Sequence, residues 1–164
     1  MGDYAEGMDI LIRLGVSILI GGLIGLERQL HGRWAGMRTH MMVSMGAAMF
    51  TIAGLEVAKG DLPDTTRVIQ GIAAGIGFLG AGTILKLSNQ LEVKGLTTAS
   101  AIWLTAANGT ATGLGHGATG LGHWWLAGGG TVGSLLILAL LRPIDKWFTR
   151  DRSARATNSA EEQD

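Results

Sequence analysis

The chain has 164 residues, of which 47% are hydrophobic and only 16% are charged, whereas about 25% charged residues is usual for a soluble domain. This composition favours a membrane protein of one domain over a soluble one. Cysteine is absent, which excludes disulfides and thiolate metal sites. The formal net charge is zero, so no nucleic-acid partner is predicted.

Five apolar segments follow one another along the chain, each 17–19 residues long. This length suits a helix that crosses a hydrocarbon core of roughly 30 Å. The polar connections are short, so sequential helices are expected to lie antiparallel in a compact bundle. The acidic start of the chain has no Lys or Arg, so we expect the first segment to be retained rather than removed as a signal peptide. The segments are 8–26, 41–57, 68–85, 96–114 and 124–141.

The basic residues are distributed unevenly between the two sides of these segments. Ten Lys and Arg residues fall in the first loop, the third loop and the C-terminal tail, and two fall on the opposite side. Because Lys and Arg are retained in the cytoplasm, the sequence predicts an all-α integral membrane bundle of about five transmembrane helices, with the N-terminus outside and the C-terminus cytoplasmic. We assign residues 1–145 to the transmembrane domain and 146–164 to a cytoplasmic, partly disordered tail.

The glycine-rich run 67–86 admits two interpretations. Its GIGFLG at 75–80 matches the G-x-G-x-x-G dinucleotide fingerprint, but that site needs a preceding strand and an acidic residue about 20 positions further on, and neither is present. In a membrane helix, small residues four apart let two backbones approach closely. Because each glycine also weakens a helix by up to about 1 kcal/mol, we predict a kinked or partly unwound stretch at 75–82 whose carbonyls face Asn108. The predicted helix-packing residues are Gly71, Gly75, Gly77, Gly80 and Gly82.

Charged residues on the first span are candidates for function, because a charge at the centre of a membrane costs about 2.5–3.5 kcal/mol. Glu27 and Arg28 share one helical arc with Arg13. Either this arc faces the interior of the bundle, or Glu27 and Arg28 form an ordinary ion pair at the membrane interface. Arg13 lies about one turn from the opposite end and is expected to snorkel outward.

The junction before the second span contains three further candidates. Thr39 is a predicted N-cap of the helix. Its neighbours Arg38 and His40 lie at the depth where a lipid head group, a partner carboxylate or an anion could be held. The alternative is that these cations are positive-inside anchors.

The third and fourth spans carry the remaining polar candidates. Asp64 and Arg67 are expected to form an i,i+3 salt bridge, with Gln70 about one turn deeper; the alternative is an ion or proton entry site. Asn108 belongs to a polar stripe on the fourth span, which we expect to face the glycine-rich third span. The stripe either joins the helices or lines a pathway; its other hydroxyl residues are Thr97, Thr105 and Thr112.

An internal repeat, TGLGH, occurs at 112–116 and again at 119–123. It predicts a flexible outer loop, because glycine loses the most backbone entropy on ordering. The repeat also places His116 and His123 seven residues apart. Two histidines supply half a zinc site at best, so we favour the loop over a metal site.

Four motifs, taken in their order along the chain, resemble those of a known family. They are GGLIGLERQ at 21–29, GMRTHMMVSMGAAMF at 36–50, PDTTRVIQGIAAGIGFLGAGTIL at 63–85 and VKGLTTASAIW at 93–103. Their order and spacing are similar to those of the MgtC/SapB family of bacterial inner-membrane proteins. The resemblance covers most of the predicted membrane portion.

The resemblance implies a multi-pass inner-membrane protein. Family members are linked to growth in low magnesium, to survival within macrophages and, for one member, to restraint of the proton-driven ATP synthase. The C-terminal ACT-type domain of that member has no counterpart here, so the chain is expected to be a short, SapB-like form. The positions that match the family motifs are Glu27, Arg28, Gly36, Arg38, Thr39, His40, Asp64, Arg67, Gln70, Gly75, Gly77, Phe78, Gly80, Gly82 and 95–98.

These observations lead to one leading function and one alternative. We expect no enzyme and no cofactor, because no nucleophile with a paired base is recognisable. The leading function is a regulatory protein in magnesium homeostasis or membrane energetics. Its expected partners are the lipid bilayer, a second copy in a homodimer, and a membrane complex such as the ATP synthase. The alternative is a small ion transporter or channel with a polar path between the third and fourth spans.

Overall fold

The computed structural model describes residues 2–58, 62–86, 93–115 and 124–140. Most of each apolar segment predicted from the sequence falls in one helix of this structure, which confirms the all-α class. The first helix is longer than predicted, because it also includes the acidic start of the chain. The helices are α1 (Gly2–Leu30), α2 (Met37–Ala58), α3 (Leu62–Gly82), α4 (Leu96–Leu114) and α5 (Trp124–Leu140).

Helix α4 lies at the centre of the bundle and contacts the four other helices. Glycines set the distances between α1, α2 and α4. A Cβ atom at Gly21 or Gly25 would collide with the backbone of α2, and one at Gly109 or Gly113 would collide with the backbone of α2 further along that helix. The three backbones therefore approach more closely than larger residues would allow.

The interior of the described part is polar and the exterior is apolar. The buried apolar residues are eight alanines and three isoleucines, whereas twelve polar or charged residues are buried. Large apolar side chains such as Leu19, Phe50 and Phe78 are instead more than half exposed. A soluble protein would bury such side chains, so this surface indicates a protein solvated by lipid.

Two helices are long and apolar enough to cross a membrane by length and composition, Tyr4–Leu30 and Met37–Ala58. Helix α5 is apolar but has 17 residues, which is at the short end of the spanning range of about 17–25. Glycine, threonine and asparagine dilute the hydropathy of α3 and α4. Composition alone therefore indicates two spans, and the five-span count stays a prediction.

Helix α3 is continuous from Leu62 to Gly82, so the predicted unwound stretch at 75–82 is wrong. Its glycines reduce helix propensity. However, a backbone group left unsatisfied in hydrocarbon costs several kcal/mol, which outweighs that loss. The helix instead ends after Gly82, where the Thr83 N–H donates to the Gly80 carbonyl at 3.0 Å.

A short antiparallel ribbon, which the sequence did not predict, joins α3 to α4. Its strands β1 (Leu85–Lys86) and β2 (Val93–Lys94) pair Leu85 with Lys94. The next residue, Gly95, has φ +99° and would place a Cβ against the Thr83 carbonyl. Only glycine fits this junction.

The N-cap prediction for α2 is wrong. The helix already includes Thr39, because it begins at Met37. The Met37 N–H donates to the Gln29 side-chain oxygen at 3.2 Å, so α1 supplies a cap for α2. The histidine-glycine repeat at 116–123, the tail at 146–164 and the domain boundary at 145 lie outside the described residues.

Candidate functional site

Arg28 and Glu27 form a buried pair at the C-terminal end of α1. The Arg28 side chain is 3% exposed, and its Nη1 lies 3.7 Å from a Glu27 carboxylate oxygen. The same carboxylate lies 3.6 Å from His31 Nδ1. The Nε and Nη2 atoms of Arg28 are buried without a hydrogen-bond partner in the described part of the chain. A buried guanidinium with unused donors is suited to holding an anionic or carbonyl group.

His40 joins α2 to α4 in the centre of the bundle. It is fully buried, and its Nδ1 lies 2.8 Å from the Thr105 hydroxyl oxygen. The Thr105 hydroxyl donates its only proton to the Ala101 carbonyl at 2.8 Å. Thr105 therefore links His40 of α2 to the backbone of α4. The other ring nitrogen, Nε2, is buried without a hydrogen bond in the described residues.

Asn108 and Ser44 extend this polar interior along α4 and α2. A Cβ atom at Gly130 would meet the Asn108 side-chain oxygen, so this amide lies against the backbone of α5. The Asn108 nitrogen and the Ser44 hydroxyl are buried and lack hydrogen-bond partners within the described ranges. We call His40, Ser44, Thr105 and Asn108 the polar interior.

Arg13 lies at the opposite end of the bundle from Arg28, and its side chain contacts Asp9 and the C-terminal end of α4. Its Nη1 donates to the Gly113 carbonyl at 3.0 Å, and its Nη2 pairs with Asp9 at 2.5 Å. The Arg13 side chain also lies where a Cβ at Gly115 would stand. Carbonyls at the C-terminus of α4 attract a cation, which explains why Arg13 contacts this end of the helix.

The polar stripe on α4 faces α2 and α5, not α3 as predicted. The path proposed between the third and fourth spans is therefore absent from the described residues. Asp64 and Arg67 form the predicted salt bridge at 3.7 Å, but both side chains are more than half exposed. Gln70 is exposed as well. The structure does not bring these three residues to Asn108.

The glycines of α3 have few neighbours inside the chain. Gly80 is buried, and a Cβ there would lie 3.7 Å from Ala99 of α4, an ordinary contact distance. The other four have nothing within 4 Å of an added Cβ. Packing by these four therefore requires something other than the described helices; they are Gly71, Gly75, Gly77 and Gly82.

Arg38 and Thr39 are exposed and stand at one end of a groove of about 1050 Å³ between α2 and α3. We call this space the α2/α3 groove. It is mostly apolar, and its walls include Met42, Gly46, Phe50, Gly71, Gly75 and Leu79. Of the three candidates predicted at this junction, only His40 lies in the polar interior.

Sequence reasoning missed several residues that shape the site. Gly21 with Gly25, and Gly109 with Gly113, repeat the four-residue spacing that was recognised only in the third span. Ser44 was missed because a lone serine in an apolar run gives no periodic signal. Among the described residues, no group of three or more His, Asp or Glu could hold a metal ion.

A sequence model of the MgtC family matches residues 14–147 of the chain. Protein SrpB of Synechococcus elongatus is 43% identical over 84% of this chain and 76% of its own length. Protein MgtC of Brucella abortus is 43% identical over 80% of this chain. The putative magnesium transporter YhiD of Escherichia coli is 38% identical over 83% of it.

The chain covers unequal shares of these relatives. The match spans 50% of the Brucella protein and 62% of the Escherichia coli protein. No solved structure matches the chain. The similarity therefore covers most of this chain but only part of its longer relatives.

Proposed function

Because the chain belongs to the MgtC family, we propose that it is a multi-pass protein of the bacterial inner membrane that regulates magnesium homeostasis or membrane energetics by binding membrane proteins. The magnesium connection is supported by the similarity to YhiD of Escherichia coli, which is named as a putative magnesium transporter. The membrane location is supported by the apolar exterior of the bundle and by two helices of spanning length.

The observation that carries the binding proposal is the outer face of α3. Small residues four apart, Ala73, Gly77 and Ala81, are all exposed on this helix, and Gly77 has open space beside it. In lipid, such a row lets a second helix approach closely. We call these three residues the outer face of α3 and assign partner binding to it.

Two kinds of partner fit this face. A second copy of the chain would place two outer faces against each other and form a homodimer. A helix of a larger complex, such as the ATP synthase, would use the same small residues. Both arrangements need the row to stay small, so one substitution tests the binding proposal for both.

We expect Gly77→Leu to abolish the association, because the leucine side chain would hold the partner backbone away. Gly128→Leu is the matched control, since Gly128 of α5 is also exposed with nothing within 4 Å of an added Cβ. The measurement is copurification of tagged and untagged chains, and of other membrane proteins, from native membranes. If Gly77→Leu retains every partner that the unsubstituted chain retains, the outer face of α3 is not the binding surface.

A growth assay connects binding to physiology. Cells that depend on this protein in low magnesium should grow with Gly128→Leu and fail to grow with Gly77→Leu at equal protein levels. Equal growth of both strains would show that magnesium homeostasis does not require partner binding at this face.

Ion transport through the polar interior is a second candidate function. It is favoured by the buried polar atoms without partners on His40, Ser44 and Asn108. Mg²⁺ prefers oxygen ligands such as carboxylates, whereas the buried guanidinium of Arg28 is itself a cation. Arg28 therefore opposes the passage of Mg²⁺ here. Purified protein in liposomes tests this candidate: it fails if no flux of Mg²⁺, H⁺, Na⁺ or K⁺ exceeds that of empty liposomes.

A further inference from the structure

We propose that the α2/α3 groove holds one anionic phospholipid, with its phosphate at Arg38 and an acyl chain between the two helices. This site is separate from the outer face of α3. The groove is formed by Gly71 and Gly75, whereas the outer face contains Gly77. The proposal therefore does not depend on partner binding.

The groove extends from Arg38 to Val68 and is long enough for one acyl chain. Its α2 wall, from Arg38 to Phe50, rises ~18 Å at the usual helical pitch, and the hydrocarbon core of a bilayer is roughly 30 Å thick. Beyond the groove the two helices meet, because Val68 lies within 3 Å of the position of a Cβ atom on Gly54. The groove is thus closed at Gly54 and Val68, near the far ends of the predicted spans 41–57 and 68–85.

This closure favours a lipid over a protein helix as the occupant. A partner helix packed along the groove would cross the full membrane and would meet the contact between Gly54 and Val68. An acyl chain ends within its own leaflet and does not need to pass the contact between Gly54 and Val68. The groove volume of about 1050 Å³ is at the upper end of the ~300–1,000 Å³ that is typical of ligand pockets.

The chemistry of the walls selects an anionic amphiphile. The lining side chains are apolar except for Arg38 and Thr39, and no acidic residue is among them. Both polar residues stand at the same end, so a ligand there must be long and apolar with one negatively charged head. Basic pockets between transmembrane helices bind anionic head groups in this way.

A second depression continues the mouth of the groove. It has a volume of about 240 Å³ and shares Thr39, Val43 and Leu79 with the groove. Its lining also includes Trp34 and Thr83, and Trp34 is 80% exposed. Tryptophan is enriched at the level of lipid head groups, so this depression provides room for the polar part of the lipid.

Native mass spectrometry of the full chain, purified with phosphatidylglycerol and phosphatidylcholine in equal amounts, tests the proposal. We expect the protein to retain one phosphatidylglycerol in preference to phosphatidylcholine. Arg38→Gln should reduce this preference about fivefold, the effect expected of one cation near a membrane surface. Arg33→Gln is the matched control, since Arg33 is an exposed cation of the same loop that does not line the groove.

A second pair of variants tests the chain-binding part. Gly75→Leu should fill the groove and abolish retention of both lipids. An added Cβ there has nothing within 4 Å, so the variant should fold. Gly77→Leu, on the outer face of α3, should leave retention unchanged.

Three outcomes would overturn the lipid site. They are equal retention of both lipids by the unsubstituted chain, equal loss with Gly75→Leu and Gly77→Leu, and a change in oligomer mass with Gly75→Leu while lipid retention stays constant. The last result would assign the groove to a second copy of the chain. Loss of partners with Gly77→Leu, by contrast, bears only on the proposed function.

Discussion

At the scale of single residues, the fold depends on hydrogen bonds between polar side chains that are buried between helices. The bond from His40 to Thr105 is the clearest example, because it joins residues 65 positions apart in the sequence. Removing one partner of a buried hydrogen bond leaves the other partner unsatisfied. This costs more than the net gain from making the bond.

We expect Thr105→Val to lower the free energy of unfolding by about 1–3 kcal/mol, because the buried His40 Nδ1 loses its hydrogen-bond partner. Thr105→Ser keeps the hydroxyl and should retain most of the stability. Thr97→Val on the same helix is the control, since Thr97 is exposed and should change stability by less than about 0.5 kcal/mol. The measurement is unfolding in detergent by denaturant titration. Equal stability of Thr105→Val and Thr97→Val would contradict the assigned bond.

At the scale of elements, the glycines of this chain have two different roles. Gly21 and Gly25 of α1 and the two glycines of α4 lie where helix backbones meet, whereas four glycines of α3 and several of α5 have open space beside them. The same substitution should therefore have opposite effects at the two kinds of position. Helix propensity favours alanine over glycine at both kinds of position. Contact with a neighbouring helix disfavours alanine only where two backbones meet.

Gly109→Ala should destabilise the bundle by about 1–3 kcal/mol, as expected for overpacking. The added Cβ would collide with the backbone of Ser44 and force α2 and α4 apart. Gly128→Ala has no such neighbour and should stabilise the protein by up to about 1 kcal/mol through helix propensity. Thermal unfolding of both variants in the same detergent measures the difference. A stabilising effect of Gly109→Ala would show that the close contact of α2 and α4 is absent.

At the scale of the whole molecule, the sequence predicted the elements better than their neighbours. Hydrophobic length located all five helices, and i,i+3 spacing located the pair of Asp64 and Arg67, because both signals are local. Periodicity also placed Asn108 on a polar face of α4. It could not say which helix that face meets, and the expectation of α3 was wrong because the contact with α5 depends on Gly130, far along the chain.

The orientation of the bundle is the remaining prediction at this scale, and it rests on the uneven distribution of Lys and Arg. The chain has no cysteine, so Gly117→Cys and Asn158→Cys each introduce a single thiol. A membrane-impermeant maleimide should label position 117 in intact cells and position 158 only after permeabilisation. Ser134→Cys, at a buried position of α5, should resist labelling under both conditions. Because one span separates positions 117 and 158 in the five-span arrangement, labelling of both from the same side would contradict that count.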